Sequence, residues 1–329
     1  MTSRLGRYTV LGRLAKGSTA DLLLAIPDRS PPLPRRVVLK HLYPHLAGDE
    51  DFVRMFVDEV QLMSRFQHDG IVRVFDLDID DDHLFAVLEL TDGPSCAAAL
   101  RLHARQGGPG LPVAVAVVIA ARVAAALAVV HDLLDIDGTP LSLVHRDVTP
   151  DNVLVGRDGA VRLADFGVAR SVVGRDSGLL TAKETTAGTK KGKASFLAPE
   201  QVLGPATAIT HRTDLYALGA TLFTLLAGRP PFSRTDGDVA LFDAILHSPA
   251  PRLTTIIDDV HLDGALADIV AALLEKRPAD RPTDASTVAA TLLQWCRDHG
   301  VDTASDTAVD TGSVVADFVT GLGLPSLTS

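Results

Sequence analysis

Two short apolar runs, Val153-Leu154-Val155 and Val161-Arg162-Leu163-Ala164, flank the polar break Gly156-Arg157-Asp158-Gly159. Glycine at both ends of so short a break is a strong turn signal, and the runs read as a tight antiparallel hairpin. Pairing them sets Asn152, at the start of one strand, opposite Asp165, at the end of the other. Asp147 adds a third oxygen-bearing side chain a few residues upstream, within His145-Arg146-Asp147-Val148-Thr149-Pro150-Asp151-Asn152. Hard oxygen donors on a rigid hairpin suit Mg²⁺, which usually takes one or two side chains and leaves its other positions to phosphate and water.

The chain has 329 residues, 47% of them apolar, enough for one large or two medium domains around this hairpin. Its net charge of −10 argues against a nucleic-acid backbone or an anionic membrane as the main partner. Cys96 and Cys296 have no paired spacing, so neither a disulfide framework nor a zinc site is implied, and a reducing, cytoplasmic setting fits. The first residues lack the apolar core of a signal peptide. Residues 111–130 are nearly all Ala, Val, Ile and Leu, but Arg122 sits in their middle. They read as the buried helix of a large helical body, with no membrane insertion.

Upstream, Arg36-Val37-Val38-Leu39-Lys40 is an apolar strand ending on a charge. Phe52, Met55, Phe56, Glu59, Leu62, Met63 and Phe66 then follow helical spacing, with Glu59 in the middle of the apolar face. A carboxylate buried there unpaired would be costly. Five aspartates within residues 76–82 read as the solvated tip of a hairpin. The strand Phe85-Ala86-Val87-Leu88-Glu89-Leu90 follows, and Thr91-Asp92-Gly93-Pro94 breaks it. Residues 298–329 are small, polar and acidic until Val314-Val315-Ala316-Asp317-Phe318-Val319. A mostly flexible terminus is the favoured expectation there, with docking of that run on the body or a partner as the alternative.

His145-Arg146-Asp147, Asn152 five residues later, and Asp165-Phe166-Gly167 resemble the catalytic and metal-binding segments of eukaryotic-like protein kinases. The resemblance extends over about residues 7–297. It takes in Ala198-Pro199-Glu200, the helix opening at Asp214-Leu215-Tyr216, and Arg281 as the expected partner of Glu200. It implies an α+β, bilobal fold: a small antiparallel sheet lobe with one key helix (7–90), a mainly helical lobe (91–297) and the tail (298–329). It also implies ATP-dependent phosphoryl transfer to protein substrates, with ATP and Mg²⁺ as cofactors.

The family's roles carry over residue by residue. Asp147 would accept or orient the substrate hydroxyl, Lys40 paired with Glu59 would hold the phosphates, and Asn152 with Asp165 would hold Mg²⁺. Leu14, Gly17, Leu22, Val38, Leu88, Glu89 and Leu154 would line the ATP site, with Leu22 over the adenine and Leu88 at the rear. The glycine-rich loop is thinned, because its three glycine positions fall on Ala15, Gly17 and Ala20. Arg146 implies control by a phosphate on the activation segment, with Thr185, Thr186 and Thr189 the nearest acceptors and Thr181 further out. Autophosphorylation there would take a transient dimer.

Two positions depart from the family pattern. Thr149 stands two residues after Asp147, where serine/threonine kinases carry Lys, and Lys193 stands after Gly192, where they carry Thr. The two residues are read as exchanged, with Lys193 supplying the charge that Thr149 lacks. That combination resembles one branch of bacterial serine/threonine kinases. The thinned glycine loop points to the alternative of a pseudokinase acting as a nucleotide-binding scaffold. The Ala198-Pro199-Glu200 segment argues against a small-molecule phosphotransferase. Tyrosine acceptors are not ruled out by Thr149 alone.

Overall fold

Strand β4 (Val37–Leu42) shows how the smaller part is built. Side chains alternate across a strand. Val37 and Leu39 pack with Tyr8, Phe85 and Val87 on one face, while Val38, Leu42, Ala86 and Leu88 join the main core on the other. Lys40 lies between Val38 and Leu42 on that second face. Around β4 runs a six-stranded antiparallel sheet in the order β1-β2-β3-β4-β6-β5. Its other strands are β1 (Ser3–Leu5), β2 (Tyr8–Lys16), β3 (Ala20–Pro27), β5 (Val74–Asp80) and β6 (His83–Leu88). The computed structural model describes residues 3–29, 33–166, 193–233, 237–257, 262–301 and 314–328.

After a single turn, α1 (Pro44–Ala47), comes α2 (Glu50–Ser64). Asp49 caps α2 by accepting from the backbone N–H of Asp51 at 3.0 Å. Of the stripe read from the sequence α2 buries Met55, Phe56, Glu59 and Met63, joined by Val60; Phe52 and Leu62 are half-buried, and Phe66 is buried just past the helix end.

The helical part begins at α3 (Cys96–Arg105), capped by Ser95, and centres on α4 (Val113–His131). By length and composition α4 could cross a membrane, yet Ala116, Val117, Ile119, Ala124 and Leu127 show no exposure. It is the core helix of this lobe. Its one charge has a use: Arg122 donates to the Gly159 carbonyl at 2.9 Å, clasping the turn of the hairpin β7 (Val153–Val155) and β8 (Val161–Leu163). The hairpin forms as expected but pairs Val153 with Leu163, so Asn152 falls opposite Ala164, whose N–H donates to its carbonyl at 2.8 Å, one residue short of Asp165. Around α4 stand α5 (Pro199–Val202), α6 (His211–Ala227), α7 (Asp238–His247), α8 (Gly264–Leu273) and α9 (Ala285–Asp298).

Three expectations change. The aspartate run is only in part the hairpin tip: Asp81 and Asp82 form the exposed turn between β5 and β6, while Asp76, Asp78 and Asp80 lie within β5. Asp76 pairs with Arg7 and Asp80 accepts from the Gly6 N–H at 2.7 Å, so distant partners neutralise what looked like a solvated cluster. The glycine-loop strands are longer than read, and the turn shrinks to Gly17-Ser18-Thr19, with Ala15 and Ala20 inside β2 and β3. Finally, residues 314–328 pack onto the body instead of hanging free. Helix α10 (Val314–Gly321) buries Val315 and Val319 in the main core beside α4, with Ala316 buried as well. The chain reverses at Gly323, whose φ of +69° suits glycine.

Candidate active site

Lys40 is carried on the helix-facing side of β4, and α2 brings Glu59 to it. Lys40 Nζ donates to Glu59 Oε1 at 2.8 Å and to Asp165 Oδ1 at 2.9 Å. Burial works against the Lys40 ammonium, but Asp165 and Glu59 outweigh it and hold its pKa above the ordinary lysine value. Burial raises the Glu59 carboxyl while Lys40 draws it back. Asp165 is held below the usual carboxylate range, chiefly by Lys40. Taking Lys40 away would leave Glu59 enclosed without its counter-charge, while Asp165 keeps its open side toward solvent.

Of the four described non-glycine residues with left-handed backbone, two border this site: Arg146 at φ +66° and Asp165 at φ +54°. Such conformations cost on the order of 1–3 kcal/mol each and persist where surroundings fix them. Asp214, fully buried at the start of α6, supplies the fixing on one side. Its carboxylate accepts from the backbone N–H groups of His145 and Arg146, each at 2.7 Å, while its Oδ2 lies 2.9 Å from His131 Nε2. On the other side, Phe166 stacks on Phe66 with ring centroids 5.1 Å apart and meets the His145 ring at 4.7 Å, tilted by 46°. Burial pushes the His145 imidazole below its usual pKa, which favours a neutral ring against Phe166. The position of Asp165 is thus tied to the residues just past α2.

Asp147 faces the same space. Its Oδ2 accepts from Asn152 Nδ2 at 2.9 Å and from the Lys193 ammonium, and its backbone carbonyl accepts from Asn152 Nδ2 at 2.8 Å. Lys193 opens a 3₁₀ turn, Lys193–Phe196, which runs into α5. There Glu200 meets Arg281 in a two-pronged pair at 2.7 and 2.9 Å. The Lys193 ammonium thus meets Asp147, the residue toward which the sequence reading directed it. Thr149 is buried instead, and its hydroxyl has no hydrogen-bond partner among the described residues.

These groups form the polar end of a cavity of about 670 Å³ between sheet and hairpin. Leu14, Gly17, Leu22, Val38, Leu88, Glu89 and Leu154 line its apolar end, as expected from the sequence. The Glu89 carboxylate turns elsewhere, to Arg162 at 2.9 Å. Gly17 keeps its glycine for a physical reason: a Cβ there would stand 2.6 Å from the Ala20 carbonyl oxygen, to which the Gly17 N–H donates at 2.8 Å. Arg146 and Thr149 do not line the cavity, and Thr181, Thr185, Thr186 and Thr189 lie outside the described residues. Val72, Ala164 and Leu327 also line it and were missed. Leu327 comes from the far end of the chain, where no local pattern could have pointed to it.

The donor set suits Mg²⁺. Asn152 commits its amide nitrogen to Asp147, so its carbonyl oxygen remains as the donor to a cation, beside the Asp165 carboxylate. Among the described residues no cluster of three His, Cys, Asp or Glu could form an all-protein metal cage. A site with few side-chain oxygens is what Mg²⁺ takes when phosphate completes its shell.

Comparison with known proteins gives a consistent picture. A family model described as a protein kinase domain matches residues 8–294. The chain is 36% identical over 278 residues to the serine/threonine-protein kinase PknL of Mycobacterium tuberculosis, covering 84% of this chain and 62% of that one. It is 33% identical over 277 residues to the tyrosine-protein kinase MasK of Myxococcus xanthus, covering 84% of this chain and 41% of that one. It therefore spans about 41% to 62% of the length of these relatives. Among solved structures, the M. tuberculosis PknI kinase domain superposes with a TM-score of 0.62 at 26% identity, covering 89% of this chain and 98% of that one.

Proposed function

The chain belongs to the protein kinase family, and on that premise we propose that it transfers the γ-phosphoryl group of ATP to serine or threonine hydroxyls of protein substrates. The observation that carries this reading is the convergence of Lys40, Asp147, Asn152 and Asp165 on one cavity large enough for a nucleotide. Phosphoryl transfer needs positioning and charge neutralisation more than covalent help. Lys40, oriented by Glu59, binds the nucleotide phosphates. Asn152 and Asp165 would hold Mg²⁺, which would supply charge neutralisation for the phosphates. Asp147 orients the attacking hydroxyl and takes its proton as the bond from oxygen to γ-phosphorus forms and the bond to the leaving ADP oxygen breaks. Lys193 and Asn152 fix the direction in which Asp147 points, and Lys193 adds positive charge on the substrate side.

We further propose a regulatory role for Arg146 through phosphate on Thr185, Thr186 or Thr189, added by the kinase itself in a transient dimer. A cytosolic setting fits the two free, buried cysteines. A tyrosine acceptor is the second reading, favoured by the description of MasK.

Labelling of the purified chain and of a panel of serine, threonine and tyrosine peptides with [γ-³²P]ATP tests these points. Incorporation into serine or threonine, abolished by Asp147→Asn, is the expected result. Labelling that persists in the variant removes the proposed role of Asp147, and labelling confined to tyrosine peptides favours the second reading. Mass spectrometry of the same samples reads the threonines; an active enzyme with that whole segment unmodified excludes the autophosphorylation step.

A further inference from the structure

The last described residues do not merely follow the surface; they end at the mouth of the cavity. Asp92 stands just past β6, where the chain passes from sheet to helices, and its carboxylate is met by three donors from the tail. The Leu327 N–H donates to Oδ1 at 2.6 Å, and the Ser326 and Thr328 hydroxyls donate to Oδ2 at 2.7 and 3.0 Å. From the sheet side, the Arg36 guanidinium grips the Leu327 carbonyl. The segment therefore spans both parts of the molecule at the hinge between them. Charge-assisted bonds of this kind are the strong ones, and three on one carboxylate hold a terminus that its composition alone would leave loose. Burial works against the Asp92 charge, yet the Leu327 N–H and the two hydroxyls together keep its pKa below the usual carboxylate range.

The Leu327 side chain lines the cavity, which still measures about 670 Å³ with it in place. Pockets for ligands of this size run from about 300 to 1,000 Å³. Leu327 is thus a wall of the pocket and not a plug in it.

We propose that Ser326-Leu327-Thr328 is a working part of the nucleotide site: Asp92 latches the segment, Leu327 completes the apolar wall, and phosphorylation of the exposed Thr328 opens the latch. This rests on reading the cavity as a nucleotide site. A phosphate on Thr328 would set roughly two negative charges against the Asp92 carboxylate, which accepts hydrogen bonds and repels anions. Release of the segment would withdraw Leu327 and weaken nucleotide binding.

The test uses the full chain and two readouts: ADP affinity by calorimetry, and hydrogen exchange at the Leu327 amide. Wild type should bind ADP and protect that amide. Asp92→Ala and Thr328→Glu should both lose the protection and weaken ADP binding, by about 3- to 10-fold for the apolar contact withdrawn. Leu327→Ala should keep the protection and weaken ADP binding to a similar extent. Unchanged or tighter ADP binding by Leu327→Ala overturns the wall, and an unprotected Leu327 amide in wild type overturns the latch. Wild type that binds no ADP while the amide stays protected and responds to Asp92→Ala overturns the nucleotide reading itself, and supports the latch apart from it.

Discussion

Two buried ion pairs, similar in chemistry, stand in different parts of the molecule: Arg281 with Glu200 in the larger lobe, Lys40 with Glu59 in the smaller. Between Arg281 and Glu200 every guanidinium nitrogen is engaged. Besides the carboxylate, Arg281 donates to the backbone carbonyls of Glu275 at 2.8 Å, Lys276 at 3.0 Å and Arg212 at 2.8 Å, and the Thr213 hydroxyl donates to Glu200. The side chains are 0% and 6% exposed. Lys40 and Glu59 are nearly as enclosed, but the second carboxylate on Lys40, Asp165, is 45% exposed toward the cavity. One pair is closed on every side and fixes architecture. The other shares its cation with a group that faces a ligand site, so its partners can be redistributed when phosphate enters. What separates a structural pair from a functional one here is the open side, not burial or distance.

The closed pair should break hardest. Arg281→Ala strands Glu200 and several carbonyls, and unfolding by denaturant should show a loss of about 3–5 kcal/mol. A loss under about 1 kcal/mol would erase the contrast. Lys40→Met should behave the other way round. Glu59, whose pKa burial already raises, can take up a proton, and Asp165 can turn to solvent, so stability should fall by less than in Arg281→Ala. Phosphorylation of a peptide, measured as kcat/KM, should drop by at least about 100-fold, the scale for removing a charge-stabilising group. The pair between Lys193 and Asp147 sharpens the comparison from between the two, since both partners border the cavity. Lys193→Met should lower kcat/KM by roughly 10- to 100-fold with little change in unfolding, and Thr149→Lys in that background should restore part of it. Near wild-type activity in Lys193→Met would make this lysine a bystander.

Much of the site was legible because its parts are local or strictly periodic. The glycine-bounded hairpin declared itself, and Glu59 stood out because a carboxylate centred in an apolar stripe needs a partner. The exchange of Thr149 and Lys193 was visible as two departures that made sense only as a pair. The misreadings share a different cause. Asp76 and Asp80 looked like a solvated cluster because Arg7 and the Gly6 amide, which neutralise them, sit at the other end of the sheet. The tail looked loose because its anchor, Asp92, lies more than 230 residues away. Phe66 reads as the last turn of a helix that ends before it, and nothing local could show that it stacks on Phe166. Charge runs and small polar segments carry no periodicity, and only the folded chain shows which distant groups answer them.

The grip of Asp214 on the loop before the hairpin has one more consequence. It holds His145 and Arg146 by their peptide N–H groups, so the loop's shape does not depend on the identity of the side chains it displays. Proline is the one substitution at either position that would directly delete such a contact. A loop fastened by its backbone is free to trade its chemistry while keeping its path. A threonine can therefore stand at position 149 while the loop keeps its fastening at His145 and Arg146.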